Sequence, residues 1–170
     1  MKIFLVGFMG CGKTTFGKKL ASKLNFNFVD LDKVVEEAIG MSISAYFQKY
    51  GEGRFRDEES RILKTTAFPE NSVIATGGGA PCFFDNMDWM NLNGTTVYIS
   101  LTPKALASRL ESATDERPVL RGLKGEELEK FIAAKLEERN PFYNKASIIA
   151  EGLNISPESF IPKLEEYQRR

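Results

Sequence analysis

A chain of 170 residues, 42% hydrophobic and 27% charged, is long enough for one soluble domain with its own core. Lys plus Arg and Asp plus Glu each total 23, which gives no hint of a nucleic-acid surface, and no apolar run approaches the ~20 residues of a membrane span. The absence of histidine removes imidazole acid–base chemistry, His-dependent triads and His-ligated zinc, and leaves carboxylates, lysines, tyrosines or thiolates as bases. Two cysteines, Cys11 and Cys82, are too few for a disulfide framework, and no signal-peptide pattern opens the chain. A cytoplasmic protein is expected.

Residues 3–6 form a short apolar run that predicts a first strand. Behind it stands GFMGCGKTT, residues 7–15, with the Walker A spacing Gly7-x-x-x-x-Gly12-Lys13-Thr14. Backbone N–H groups can cradle phosphate oxygens only if the chain curls tightly around them. Glycines permit those dihedrals and clear side chains from the path. The loop from Gly10 through Cys11 and Gly12 to Thr15 is therefore read as a nucleotide phosphate site. Lys13 would place a point charge on the β- and γ-phosphates, and the Thr14 hydroxyl would ligate Mg²⁺. The helix that follows is marked by Phe16, Leu20 and Leu24 at i, i+4, i+8, and adds its positive N-terminal end.

A second strand is predicted at 26–29 and ends in Asp30-Leu31-Asp32. Residues at i and i+2 project to one side, so both carboxylates would face the γ-phosphate. One could hold a water of the Mg²⁺ shell, the other could accept a proton from a substrate hydroxyl. Asp32 could instead be only the cap of a helix starting at Lys33. Residues 33–68 hold mostly helical pattern with no strand. Within them GRFRDEESRIL, 53–63, reads as a helix with Phe55, Ile62 and Leu63 on its inner face. Arg56 and Glu59 are i, i+3 neighbours able to pair, and a guanidinium at a core-facing edge suits a carboxylate. A solvated surface ion pair is the alternative.

The third predicted strand, 73–75, ends in Thr76-Gly77-Gly78-Gly79-Ala80-Pro81. Three consecutive glycines let a ligand lie against the backbone; a flexible turn is the alternative. A fourth strand is predicted at 97–101. Residues 112–125 are polar and read as a mobile loop that could swing Arg117 onto the phosphates, unless Arg117 is merely a solubilising charge. Leu128, Ile132 and Leu136 stripe a further helix, with Pro141 as its stop. Arg139 continues the stripe inward, where it needs an anion, or else complements the helix dipole. A fifth strand is predicted at 147–150, and Pro157 is a candidate first residue of a helix capped by Ser156. Short, nearly continuous apolar strands alternating with helices predict a parallel sheet buried on both faces.

With GFMGCGKTT, DLD, FRDEE, TGGG, ERPVL and RNPFY in this order, the chain resembles shikimate kinase, a small P-loop kinase of the nucleoside-monophosphate-kinase type. The resemblance runs from Lys2 to about Ala150. It implies a three-layer α/β/α P-loop fold with a five-stranded parallel sheet, as one domain over 1–170. The core would be 1–32, 69–111 and 126–170, the substrate-binding helical insertion 33–61 and the mobile lid 112–124. It also implies ATP- and Mg²⁺-dependent phosphorylation of the 3-hydroxyl of shikimate, a step of aromatic amino-acid biosynthesis, by a monomer without nucleic-acid or membrane partners. By position, Asp32 resembles the base that holds the substrate hydroxyls, Asp30 the helper of the Mg²⁺ shell, and Lys13 and Arg117 the phosphate clamps. Arg56 and Arg139 resemble the grip on the substrate carboxylate, Glu59 the orienter of Arg56, and Gly78 and Gly79 backbone contacts. Arg109 resembles the adenine-stacking arginine. A gluconate-kinase-like enzyme and a nucleotide-binding regulatory module without transfer are the rival readings. Intact Asp32, Lys13 and Arg117 argue against the second.

Overall fold

The structure, a computed structural model, describes residues 1–112, 120 and 122–170. Five strands, β1 (Lys2–Val6), β2 (Asn27–Asp30), β3 (Ser72–Ala75), β4 (Thr95–Ser100) and β5 (Ile148–Glu151), form one all-parallel sheet in the order β2-β3-β1-β4-β5. Successive side chains of a strand point to opposite faces, and β1 shows what each face meets. Leu5 packs towards Gly17 of α1 (Lys13–Leu24), while Phe4 sets its ring edge-on to Trp89 of α4 (Asn86–Asn93). On the α1 face, Phe16 meets Phe160 of α7 (Pro157–Gln168) at 5.5 Å between ring centroids. On the α4 face, Tyr98 of β4 lies against Tyr143 of α6 (Gly125–Tyr143). The expected three-layer α/β/α architecture and five-stranded parallel sheet are observed.

Only the three inner strands are buried as expected, with half-buried residues at their ends alone (Lys2, Thr95 and Ser100). The edge strands β2 and β5 are half covered: β2 is exposed to half-buried along its length, and β5 alternates, with Ile149 43% exposed. An edge strand lacks a neighbour on one side, and here its flank stays open to solvent. Between β2 and β3 lie α2 (Leu31–Ile39) and α3 (Ile43–Thr65). Helix α3 absorbs the predicted 53–63 segment and is broken at Gly51, whose φ of 82° and ψ of 168° suit glycine alone. Around this break Tyr46, Phe47, Tyr50 and Phe55 form an aromatic cluster.

Two helix boundaries differ from expectation. Helix α2 starts at Leu31 rather than Lys33, and Asp30, not Asp32, caps it: the Asp30 carboxylate accepts the Asp32 N–H at 3.1 Å. Pro141 does not stop α6, which runs on to Tyr143. The proline removes only its own N–H bond to the Glu137 carbonyl, and the ladder resumes beyond it, with the Asn144 N–H donating to the Asn140 carbonyl at 2.8 Å. Helix α5 (Pro103–Glu111), started by a Thr102 cap and proline at the first position, follows β4. Ser156 caps α7 as anticipated, within a full capping box closed by Ser159.

Candidate active site

Because the sheet is parallel, the segments after β1, β2 and β3 all emerge at its carboxyl edge, where open α/β sheets bind ligands. Thr76 fixes their spacing: its N–H and its hydroxyl both donate to the Leu5 carbonyl, at 3.1 and 2.9 Å. The glycine-rich loop turns at Gly10 (φ 79°) and Gly12 (φ 98°), in the left-handed region where a Cβ is strained. Gly12 leads into α1, whose first turn carries no acidic residue, so the positive helix end stays uncompensated. The Lys13 ammonium is buried. It donates to the Gly7 carbonyl at 2.6 Å and the Phe8 carbonyl at 3.1 Å, and lies 3.7 Å from Cys11 Sγ.

Gly10, Gly12, Lys13, Thr14 and Thr15 line one cavity of about 360 Å³, and Asp30 and Asp32 line it with them. Arg109, on α5, reaches this cavity and donates to the Cys11 carbonyl at 3.2 Å. Beyond it, Cys11, Gly12, Thr15 and Arg109 border a smaller hollow with Gly152, Leu153 and Ile155. These last three were not singled out from the sequence, because nothing in a loop between a strand and a helix distinguishes them.

A second cavity, of about 280 Å³, is lined by Arg56, Glu59, Gly78, Gly79 and Arg139, with Asp32 again in the wall. Met9, Asp32, Gly77 and Gly78 line both cavities, so Asp32 stands where they adjoin. Arg56 donates to Glu59 at 2.8 Å, and the Glu59 side chain is only 1% exposed. The pair is therefore interior, not the solvated surface bridge that was the alternative. The Arg56 guanidinium also stacks on Phe83, 4.4 Å from the ring centroid. Arg139 lies over Phe8 at 5.3 Å, and its buried Nη1 has no hydrogen-bond partner among the described residues. A buried guanidinium nitrogen left unpaired is costly unless an anion completes it. Ile43, Phe47, Glu52 and Lys135 complete the cavity and were not read from the sequence. Lys135 stands one helical turn before Arg139, a spacing visible in the sequence, whereas Phe47 lies nine residues before Arg56, about two and a half turns, and reaches the same cavity only because α3 is broken at Gly51.

The glycine run owes its composition to what packs against it. A Cβ on Gly77 would lie 2.8 Å from Asp32 Oδ1 and one on Gly79 2.8 Å from Arg56 Cζ, while one on Gly78 would crowd the Met9 backbone nitrogen at 3.2 Å. The Tyr143 hydroxyl donates to the Gly78 carbonyl, tying α6 and its Arg139 to the run. Downstream, the buried Asn86 donates to the Ala80 carbonyl at 2.9 Å and accepts from Ser60 at 2.6 Å, anchoring the run to α3 and α4.

Burial, and next the Asp30 carboxylate, raise the Asp32 pKa against the pull of Lys13 and Arg56. Burial also raises Glu59, opposed chiefly by Arg56. The Cys82 thiol is pushed up to about 11, mainly by burial, so it is protonated and unreactive at neutral pH. Arg117 lies outside the described residues.

A glycine-rich loop at a helix N-terminus, adjoining a cavity lined by a buried carboxylate and two guanidinium groups, marks a P-loop protein with an anion-ready site beside its phosphate loop. Comparison with known proteins makes this specific. The family model for shikimate kinase matches residues 9–166. A shikimate kinase of Parabacteroides distasonis is 50% identical over 158 residues, 93% of this chain and 91% of that protein. The crystal structure of shikimate kinase from Bacteroides thetaiotaomicron matches with a TM-score of 0.90 and 43% identity, over 100% of this chain and 99% of that one. Shikimate kinase from Acinetobacter baumannii in complex with shikimate matches with a TM-score of 0.83 and 31% identity, over 99% and 92% of the two chains. The chain belongs to the shikimate kinase family. Shikimate kinase activity, a phosphotransfer, comes with that membership. No helix among the described residues is long and apolar enough to cross a membrane.

Proposed function

We propose that the chain transfers the γ-phosphoryl group of ATP to the 3-hydroxyl of shikimate, with the two substrates meeting at Asp32. The observation that carries this reading is the position of Asp32 in the wall common to both cavities. ATP occupies the loop cavity. Lys13 exchanges its carbonyl partners for the β- and γ-phosphate oxygens, and the loop N–H groups from Gly10 to Thr15 hold the rest. Arg109 covers the base. Shikimate occupies the second cavity, its carboxylate between Arg56 and Arg139, where it completes the unpaired Arg139 Nη1. Glu59 holds Arg56 in place from behind, and Gly78 and Gly79 offer backbone to the ring. Asp32 holds the 3-hydroxyl and accepts its proton as the oxygen attacks phosphorus. Its raised pKa strengthens it as an acceptor. Arg117 is assigned to the transferring phosphate, as the family motif implies.

Thr14 and Asp30 present oxygen donors to the loop cavity, the donor type Mg²⁺ prefers. Among the described residues no cluster of three or more His, Cys, Asp or Glu could hold a metal ion. That suits an ion which keeps waters and phosphate oxygens as its main ligands. Thr14 directly, and Asp30 through water, would hold Mg²⁺, which when bound neutralises charge on the phosphate oxygens.

The test is ADP release by the purified protein with Mg-ATP, alone and with shikimate, gluconate or nucleoside monophosphates. Stimulation by shikimate alone is expected. Turnover on gluconate instead would keep the phosphate site and overturn the acceptor pocket, and tight ATP binding without turnover on any acceptor would make the chain a binding module.

A further inference from the structure

The Arg56 guanidinium has two hydrogen-bonding edges, and they are treated very differently. Nη1 is bound at 2.8 Å to Glu59, which is 1% exposed. The opposite edge, Nε with Nη2, is the fork that matches the two oxygens of a carboxylate. Both of its nitrogens point at one oxygen of Glu52, Oε1, at 3.4 Å each. Such distances lie well beyond the ~2.8 Å of a strong guanidinium–carboxylate bond. The Glu52 side chain is 57% exposed, whereas that of Arg56 is 11% exposed. Glu52 also lines the second cavity, together with Arg139. It follows directly on Gly51, so it opens the second segment of α3 and stands at the rim.

We propose that Glu52 is a displaceable internal carboxylate. It occupies the fork of Arg56 loosely, yields it to the carboxylate of the acceptor substrate, and reclaims it as the product, which keeps that carboxylate, departs. The inference rests on the reading of Arg56 as the substrate grip. Two carboxylates cannot share one fork. The entering acid wins because it brings two oxygens at short range and also satisfies Arg139, which Glu52 leaves unpaired. Glu52 thereby partly neutralises the guanidinium between turnovers, and weakens acceptor binding in exchange.

The test is Glu52→Gln, which keeps the shape and removes the charge at a rim position. The KM and the calorimetric dissociation constant for shikimate are measured with it, beside the KM for ATP. Both shikimate constants are expected to fall about two- to fivefold, the range of a half-exposed ion pair, while the KM for ATP holds. In an Arg56→Ala background the same substitution is expected to have no effect on shikimate. A rise or no change in the shikimate constants of Glu52→Gln alone overturns the proposal, since Glu52 would then orient Arg56 or not touch it. An equal fall in the Arg56→Ala background overturns it too, by showing a diffuse charge effect. If Arg56→Ala itself leaves the shikimate KM at the wild-type value, it is the assignment of Arg56 to the substrate that fails.

Discussion

Replacing Gly79 by alanine displaces Arg56 without touching it. Gly79 has φ −88° and ψ −17°, an ordinary right-handed conformation that alanine adopts without strain. The new methyl would lie 2.8 Å from both Cζ and Nη1 of Arg56 and nearer still to its Nη2. Carbon contacts settle at ~3.5 Å or more, so the guanidinium must retreat by about 0.7 Å at least. Its retreat is confined by Phe83 at 4.4 Å and by Glu59 at 2.8 Å. A charge-assisted hydrogen bond contributes ~1.5–3 kcal/mol, so misplacing the fork is expected to lower kcat/KM for shikimate roughly ten- to hundredfold. Most of the loss should appear in the shikimate KM, and the ATP KM should not move. Steady-state ADP release with each substrate varied in turn reads this split. Gly53→Ala is the control. Nothing lies within 4 Å of its Cβ, and a helical glycine replaced by alanine gains about 0.5–1 kcal/mol of stability with unchanged kinetics. A wild-type shikimate KM in Gly79→Ala would refute the claim that the guanidinium grips the substrate from this position.

Asp32→Asn is expected to abolish transfer while leaving ATP binding largely intact, as read by calorimetry with ATP and by ADP release. It should also raise the melting temperature at pH 7. The folded pKa of Asp32 lies above its unfolded value, so its contribution to stability is full below the ordinary aspartate range and is lost as pH rises through the folded value. Asparagine escapes that loss, so the gap in melting temperature should close on acidification, and a gap independent of pH would contradict the shift. Gly51→Ala places a side chain where the space is open but the backbone is not. It should cost ~1–3 kcal/mol in urea unfolding, and an unchanged midpoint would show that the break in α3 relaxes freely.

What could be read from the sequence divides by the range of the interaction. The glycine-rich loop was legible because phosphate chemistry fixes its residues one by one over nine positions. Arg56 with Glu59, and the capped start of α7, were legible because helix geometry brings near neighbours together. Asp32 was placed on the right side, yet the capping role fell to Asp30, since the helix starts two residues earlier than its apolar pattern suggests. The reason for the glycine run was not legible. It depends on Asp32, Arg56 and the Met9 backbone arriving from three separate segments. Helix α4 escaped notice because it is short and buries Asn86, a polar residue whose partners Ser60 and Ala80 are known only from the fold.

The wall shared by the two cavities has a consequence for ligands. Met9, Asp32, Gly77 and Gly78 line both cavities, and two of these four have no side chain. A single compound could therefore span the two, with a polyphosphate arm in the loop cavity and a carboxylate arm on the guanidinium side. Once one arm is seated, the other binds at a high effective concentration, and tethering of this kind raises avidity by about 10²–10⁴ over either fragment. The residues common to both cavities thus also mark the natural path for a linker.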